Sequence, residues 1–293
     1  GGKGVISLLR FILTRVGFMV VSLVAVSLIT FTLMHLAPGN FFDITTVTTI
    51  GGDVEATQRI TKLWEEKYGL DKPLWQQYLK YMWDLVRLKV GPSFKYPTMT
   101  VEEIIARSFP TSFKVAMISM VVSLIVGIPL GIISGLRKGT AIDYTITTIS
   151  LMGVAIPSYA IASLLIILFC LILGVLPTAG WGQPKHYIIP VLALAAGSIA
   201  SNARYLRVTL VEELNLDYIR TAYAKGGTER TVVFKHALRN SLIPLITIIG
   251  PRLASMMMGT LIIEQMFRIP GLGQYFIISA QTRDYPLLMT DRK

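Results

Sequence analysis

A chain of 293 residues could hold one or two soluble domains, but 53% apolar residues, 15% charged ones and a mean hydropathy of +0.59 exclude an ordinary soluble protein. The formal net charge of +11 would suit a nucleic-acid binder, yet the bases fall between long uncharged runs, where membrane topology and anionic lipid account for them. Cys170 is the single cysteine and leaves no partner for an internal disulfide, and the chain has neither a fixed-period repeat nor a low-complexity tract.

At 1.5 Å per residue, about 20 apolar residues cross roughly 30 Å of hydrocarbon. Residues 16–34 predict a first span, preceded by Lys3, Arg10 and Arg15 and closed by His35 and Ala37-Pro38-Gly39. Its apolar core is too long for a signal peptide, and no small-x-small cleavage site follows, so it reads as uncleaved. Residues 37–110 then form a long outer segment. Within it EATQRITKLWEEKYGLDKP and LWQQYLKYMWDLVRL predict amphipathic helices, the second carrying Leu74, Tyr78, Tyr81, Met82 and Leu85 at helical spacing. Trp64, Trp75, Tyr78, Tyr81 and Trp83 suit a membrane-surface position, and a structural cap on the outer mouth is favoured over ligand contact. Residues 115–136 are a second span, with Gly127, Pro129, Gly131 and Gly135 as packing and kinking positions. Residues 144–184 are uncharged but too long for one crossing, and Pro157 divides them, which makes 157–176 the expected third span. Residues 187–203 and 241–263 are the fourth and fifth, the last interrupted only by Arg252.

Orientation follows from where Lys and Arg lie. A cytoplasmic N-terminus puts inside Lys3, Arg10 and Arg15, then Arg137 and Lys138, then Arg204, Arg207, Arg220, Lys225, Arg230, Lys235 and Arg239, whereas the short outer connections hold Lys185, Arg268 and Arg283. Five spans leave Asp291-Arg292-Lys293 outside. A sixth span after Leu287-Leu288-Met289 is therefore expected in the full protein, unless the last residues are joined across a gap; the leading Gly1-Gly2 also points to an edited end. The expected domain plan is 1–36, an outer domain 37–110, and a core 111–293 with a cytoplasmic loop 207–240.

That loop should form two short helices separated at Gly226-Gly227, with Asp217 capping the first and Thr228 the second. In it TAYAKG, followed by Pro244, resembles the EAA loop of ABC importer membrane subunits. GLDKPLWQQY, EQMFRIPGLGQYF at 264–276 and RDYP at 283–286 resemble the dipeptide and oligopeptide permease branch, the oligopeptide subunit in particular. The likeness runs from about Leu9 to Met289. One departure is Arg220 where the glutamate that names the loop would stand, with Thr221 next and Ala222 retained.

The resemblance implies an all-α polytopic permease fold with six membrane helices in a multi-pass cell-membrane protein. It makes Tyr218, Ile219, Arg220, Thr221, Ala222, Tyr223, Ala224, Lys225 and Gly226 a coupling helix seated in a groove of a cytoplasmic ATPase. Tyr218, Ile219 and Tyr223 would be its anchors. It further implies a second, homologous permease subunit, two ABC ATPase subunits that bring ATP and Mg, and an extracytoplasmic solute-binding protein touched by an outer loop at Glu264, Pro270, Gly271 and Gly273. The cargo would be a dipeptide or oligopeptide, although nickel and oligosaccharide carriers share the architecture.

The chain itself offers no phosphate-binding G-x-x-x-x-G-K-[ST] loop, and His35, His186 and His236 lie near span ends or in loops, so no enzyme site, metal site or resident cofactor is expected. Arg252 in mid-span costs about 2.5–3.5 kcal/mol unless it meets water or a partner, so it should face the bundle interior. There it either attracts a peptide carboxylate or pairs with a neighbouring subunit's acid or backbone carbonyls, the second being slightly favoured. Met256, Met257 and Met258 make an adaptable patch, with Met256 and Met257 as pathway candidates beside the commoner role of packing. The rival classes are an ion-driven secondary transporter, for which inverted repeats and midplane acids are missing, and a membrane scaffold or receptor.

Overall fold

The computed structural model describes residues 2–36, 72–93, 95, 96, 98–282 and 284. The predicted outer helix at 55–71 with Trp64, the RDYP motif apart from Asp284, and the sixth span all lie outside them. The described elements are helical: α1 Gly2–Leu36, α2 Leu74–Val86, α3 Val101–Leu136, α4 Ala141–Ala155, α5 Ser158–Leu165, α6 Lys185–Leu214, α7 Asp217–Ala224, α8 Leu238–Phe267 and α9 Leu272–Thr282. The one strand-like pairing among them is an isolated bridge between Pro92 and Thr100.

Four helices are long and apolar enough to cross a membrane: Leu9–Leu33, Val101–Leu136, Lys185–Leu214 and Glu229–Phe267. A fifth arises if Ala141–Ala155 and Ser158–Ile172, bent by 104° at their break, form one broken crossing. Pro157 therefore divides the long uncharged run as expected, but 157–176 is not a straight span of its own. Its helical part ends at Ile172 through a π-helical stretch, Ile166–Ile172, and meets α4 at the 104° bend.

Helix ends also run past the apolar runs. α3 starts at Val101 because Thr100 and Glu103 form a reciprocal capping box, Thr100 N–H donating to Glu103 Oε2 at 3.0 Å and Glu103 N–H to Thr100 Oγ1 at 3.2 Å. The second helix predicted in the 207–240 loop is not separate. Glu229–Thr231 passes through a π-helical turn, Val232–Ala237, straight into α8.

The described residues fall into two compact units, one drawn from 1–105 and 275–292, the other from 106–274. In the first, α2 lays its Tyr78 face on α1. The Tyr78 hydroxyl and Ser27 Oγ are 2.8 Å apart, and the Phe31 and Tyr78 rings meet edge to face at 5.4 Å. Trp75 and Trp83 are exposed on this helix. Asp284, fully buried, accepts from Ser93 Oγ and from Lys95 N–H at 3.0 Å.

In the second unit α6 is the central rod. A Cβ built on Gly127 would come 2.8 Å from Asn202 Cβ, and one on Gly131 2.8 Å from the Ala203 carbonyl, so α3 approaches α6 backbone to backbone along a small-residue seam. α4 is tied to the same rod by a buried ion pair. Asp143 accepts from Arg207 Nε at 2.5 Å and from its Nη2 at 2.7 Å, and also from Ser134 Oγ at 2.6 Å and Gly139 N–H at 2.9 Å. The apolar core of this unit gathers Val115, Met120, Ile189, Met257, Ile263 and Phe267.

Candidate functional site

α7 begins after Leu216, which occupies the cap position and makes no side-chain cap bond. Asp217 is the first helical residue instead, where a carboxylate still favours the helix dipole. Its pair with Arg220, at 3.4 Å, is solvent-exposed on both sides and worth little. At the other end Lys225 caps the helix and Gly226 turns left-handed at φ +83°. Gly226 N–H bonds to the Tyr223 carbonyl at 2.9 Å and Gly227 N–H to that of Ala222 at 3.1 Å, a Schellman closure. Gly227 is needed for space: a Cβ there would lie 2.8 Å from the Ala222 carbonyl and 2.9 Å from Val232 Cγ2. Thr228 then caps the next helix as predicted, its hydroxyl accepting from Thr231 N–H at 3.4 Å.

The residues of α7 divide by face. Ile219 is 1% exposed and packs on Leu210, Val232 and Ala237, so it pegs the helix to its own bundle and is not an anchor for a partner. Tyr218 is part peg: its hydroxyl donates to Glu213 and accepts from Asn240 Nδ2 at 3.0 Å, linking α7 to the end of α6 and the start of α8. Burial first, and then the Glu213 bond, raise the Tyr218 phenol above its ordinary pKa, which keeps it a donor. Arg220, Thr221, Tyr223, Ala224, Lys225 and Gly226 are exposed, and Ala222 is half-buried. Beside them lies a groove of about 480 Å³ bordered by Tyr218, Thr221, Lys225 and His236.

Arg252 faces inward, as expected. It borders a cavity of about 580 Å³ with Met256, Ser255, Ser198, Ser201 and Tyr205. The partner it finds is neither an acid nor a carbonyl of the backbone: its guanidinium donates to Asn202 Oδ1 within the same chain. Met256 and Met257 both belong to the apolar core, but only Met256 also borders this cavity, and Met258 is 57% exposed on the opposite side of α8.

At the turn between α8 and α9 the predicted group splits again. Glu264 is wholly buried, so it cannot touch a partner's surface. Its Oε2 accepts from Gly273 N–H at 2.6 Å, and Ser112 Oγ accepts from Leu272 N–H at 2.9 Å, which together satisfy the first amides of α9. Gly271 and Gly273 are buried against this carboxyl: Cβ atoms there would lie 2.5 Å and 2.7 Å from Glu264 Oε2. Arg268, left-handed at φ +54°, and Pro270 are what the turn exposes. The sequence reading missed Ser198 and Ser201 in the cavity wall, Asn202 behind it as the partner of Arg252, and the Asp143–Arg207 pair; the helical spacing of the serines on α6 was the available signal.

Four helices able to cross a membrane, or five with the bent pair, together with a cavity bordered by Arg252 and serines and a short helix exposed on one side, define a polytopic helical membrane domain. The family described as the binding-protein-dependent transport system inner membrane component matches residues 127–290, and the description of its N-terminal part matches residues 8–120. The chain is 39% identical over 280 residues to the dipeptide transport system permease protein DppB of Bacillus subtilis, spanning 96% of this chain and 88% of that one. It is 36% identical over 285 residues to the oligopeptide transport system permease protein OppB of Salmonella typhimurium, spanning 97% and 90%. A chain in an inward-facing crystal form of the MetNI methionine ABC transporter shares the fold, with a TM-score of 0.52 at 19% identity over 64% of this chain and 88% of that one. The chain belongs to the family of inner membrane components of binding-protein-dependent transport systems.

Proposed function

We propose that the chain is the permease subunit of an ATP-driven importer of dipeptides or oligopeptides. It forms half of the pathway beside a second, homologous permease subunit. Two ATPase subunits dock from the cytoplasm and bring ATP and Mg, and an extracytoplasmic binding protein delivers the peptide to the outer turn at Arg268 and Pro270. The N-terminus is cytoplasmic, and 218–226 is the coupling helix. ATP binding draws the ATPases together, swings α7, and exchanges the cavity between its inward and outward openings.

The observation that carries this reading is the two-faced construction of α7. One face is pegged by Ile219 and Tyr218 to α6 and α8, while Thr221, Tyr223 and Lys225 stand exposed. A helix fixed on one side and bare on the other can pass a rigid-body push into the spans. The peptide cargo is supported by the likeness to DppB and OppB. The test is uptake of labelled peptide into proteoliposomes holding the assembled complex: uptake should need ATP, the binding protein and the ATPases. A cysteine at Thr221, in a Cys170→Ser background, should cross-link to an ATPase subunit; no such product would refute the coupling role.

A further inference from the structure

The cavity bordered by Arg252 is walled by two stripes. On α6 Gly197, Ser201 and Tyr205, and on α8 Arg252, Ser255 and Gly259, recur every three or four positions, so each stripe occupies one helix face. The opposite face of α8 is apolar, with Ile243, Ile246, Met258 and Ile262 at 51–63% exposure. Hydroxyls and one cation are thus collected on the inner side of a helix whose outer side is fit for lipid or protein packing.

Arg252 supplies the only formal charge among the described residues lining this cavity. Its guanidinium bonds to Asn202 Oδ1, and the Asn202 amide is itself held by Ser123, to the carbonyl at 3.3 Å and to Oγ at 3.2 Å. Asn202 is 1% exposed and neutral. The cation is therefore aimed by a fixed dipole and not cancelled by a carboxylate. A structural arginine at this depth would gain most from an acid, since an unneutralised charge in mid-membrane is costly. The planar fork keeps donors for a second acceptor, and a carboxylate fits it two atoms to two.

We infer that Arg252, aimed by Asn202, is a transit site for the C-terminal α-carboxylate of a peptide in passage. This rests on the peptide reading above. The serines take the peptide's amides in turn, and Met256 adapts to differing side chains. The site must hold its ligand weakly, because a tight one would stop conduction.

The experiment is uptake by the complete complex in proteoliposomes of two peptides of one sequence, one ending in a free carboxylate and the other in an amide. Binding-protein affinity is measured for each, and uptake is compared at saturation. The native complex should favour the acid by about tenfold, the factor equal to about 1.4 kcal/mol. Arg252→Gln should bring the ratio close to one, and Arg252→Lys should keep much of it. Asn202→Asp, which sets a carboxylate against the guanidinium, should also lower it and decides the matter if Arg252→Gln does not assemble. An unchanged ratio in Arg252→Gln overturns the inference, as does an equal loss for both peptides, which marks a purely structural arginine. A native complex that takes up neither peptide but does take up another cargo sinks the peptide reading itself, a different result from an unchanged ratio.

Discussion

The Glu264 carboxyl sits at the start of α9 with no exposed surface, and its Oε1 has no hydrogen-bond partner among the described residues. Its contribution to the α8–α9 turn is to accept from Gly273 while Gly271 and Gly273 make room for it. Glu264→Ala strands a buried amide, which costs about 1–3 kcal/mol; a lowered unfolding temperature of the purified complex checks this, and Glu264→Gln, which keeps an acceptor, should lose less. Gly226 is a second residue whose role is conformational. At φ +83° a β-branched side chain is strained by about 1–2 kcal/mol, so Gly226→Val should loosen the α7 closure. The expected sign is ATP hydrolysis that continues while uptake falls, measured on the same proteoliposomes.

Between elements, the α3–α6 seam and the Asp143–Arg207 pair set the packing. The seam discriminates among its glycines. A Cβ at Gly131 meets the rigid Ala203 carbonyl at 2.8 Å, whereas one at Gly135 meets the flexible end of Leu210 at 3.1 Å. Gly131→Val should therefore lower the unfolding temperature, and Gly135→Ala should change it little. Arg207→Ala leaves Asp143 buried without its cation, a loss on the order of 3 kcal/mol. The double change Asp143→Asn with Arg207→Gln should cost less than the two single losses added, because each single change leaves the other partner stranded. Chemical denaturation of the native protein, Arg207→Ala, the two cycle singles and the double change reads both numbers. Sequence reasoning found the seam glycines but not the ion pair, since sixty-odd residues separate its members and neither run of charge marks them as neighbours. It also missed how far α3 and α8 extend, although Thr100-Val101-Glu102-Glu103 carries a capping-box pattern.

For the whole molecule the checkable quantity is sidedness. With the N-terminus in the cytoplasm, a cysteine at Arg268 should react with a membrane-impermeant reagent from the outer side and one at Thr221 only from the inner side, in a Cys170→Ser background. Reversed labelling would invert every assignment of partners. The membrane class and the long apolar helices were legible because apolar run length is a one-dimensional signal that the bilayer reads directly, and the gathering of bases between α6 and α8 can be read off in the same way. The site was legible only in part: Arg252 announces itself as a lone charge in an apolar run, and Gly226-Gly227 as a helix break.

Which side chains of a motif face outward is a different kind of question. The sequence by itself determined that this chain crosses a membrane in helices, where its bases gather, and where glycines break the helix after the 217–224 motif. Tertiary structure alone decided that Ile219 and Glu264 turn inward, that Met256 and not Met257 meets the cavity, and that Asn202 aims Arg252. The physical reason is that burial of a side chain depends on which face of its helix a neighbour covers, and that neighbour is often distant in the chain.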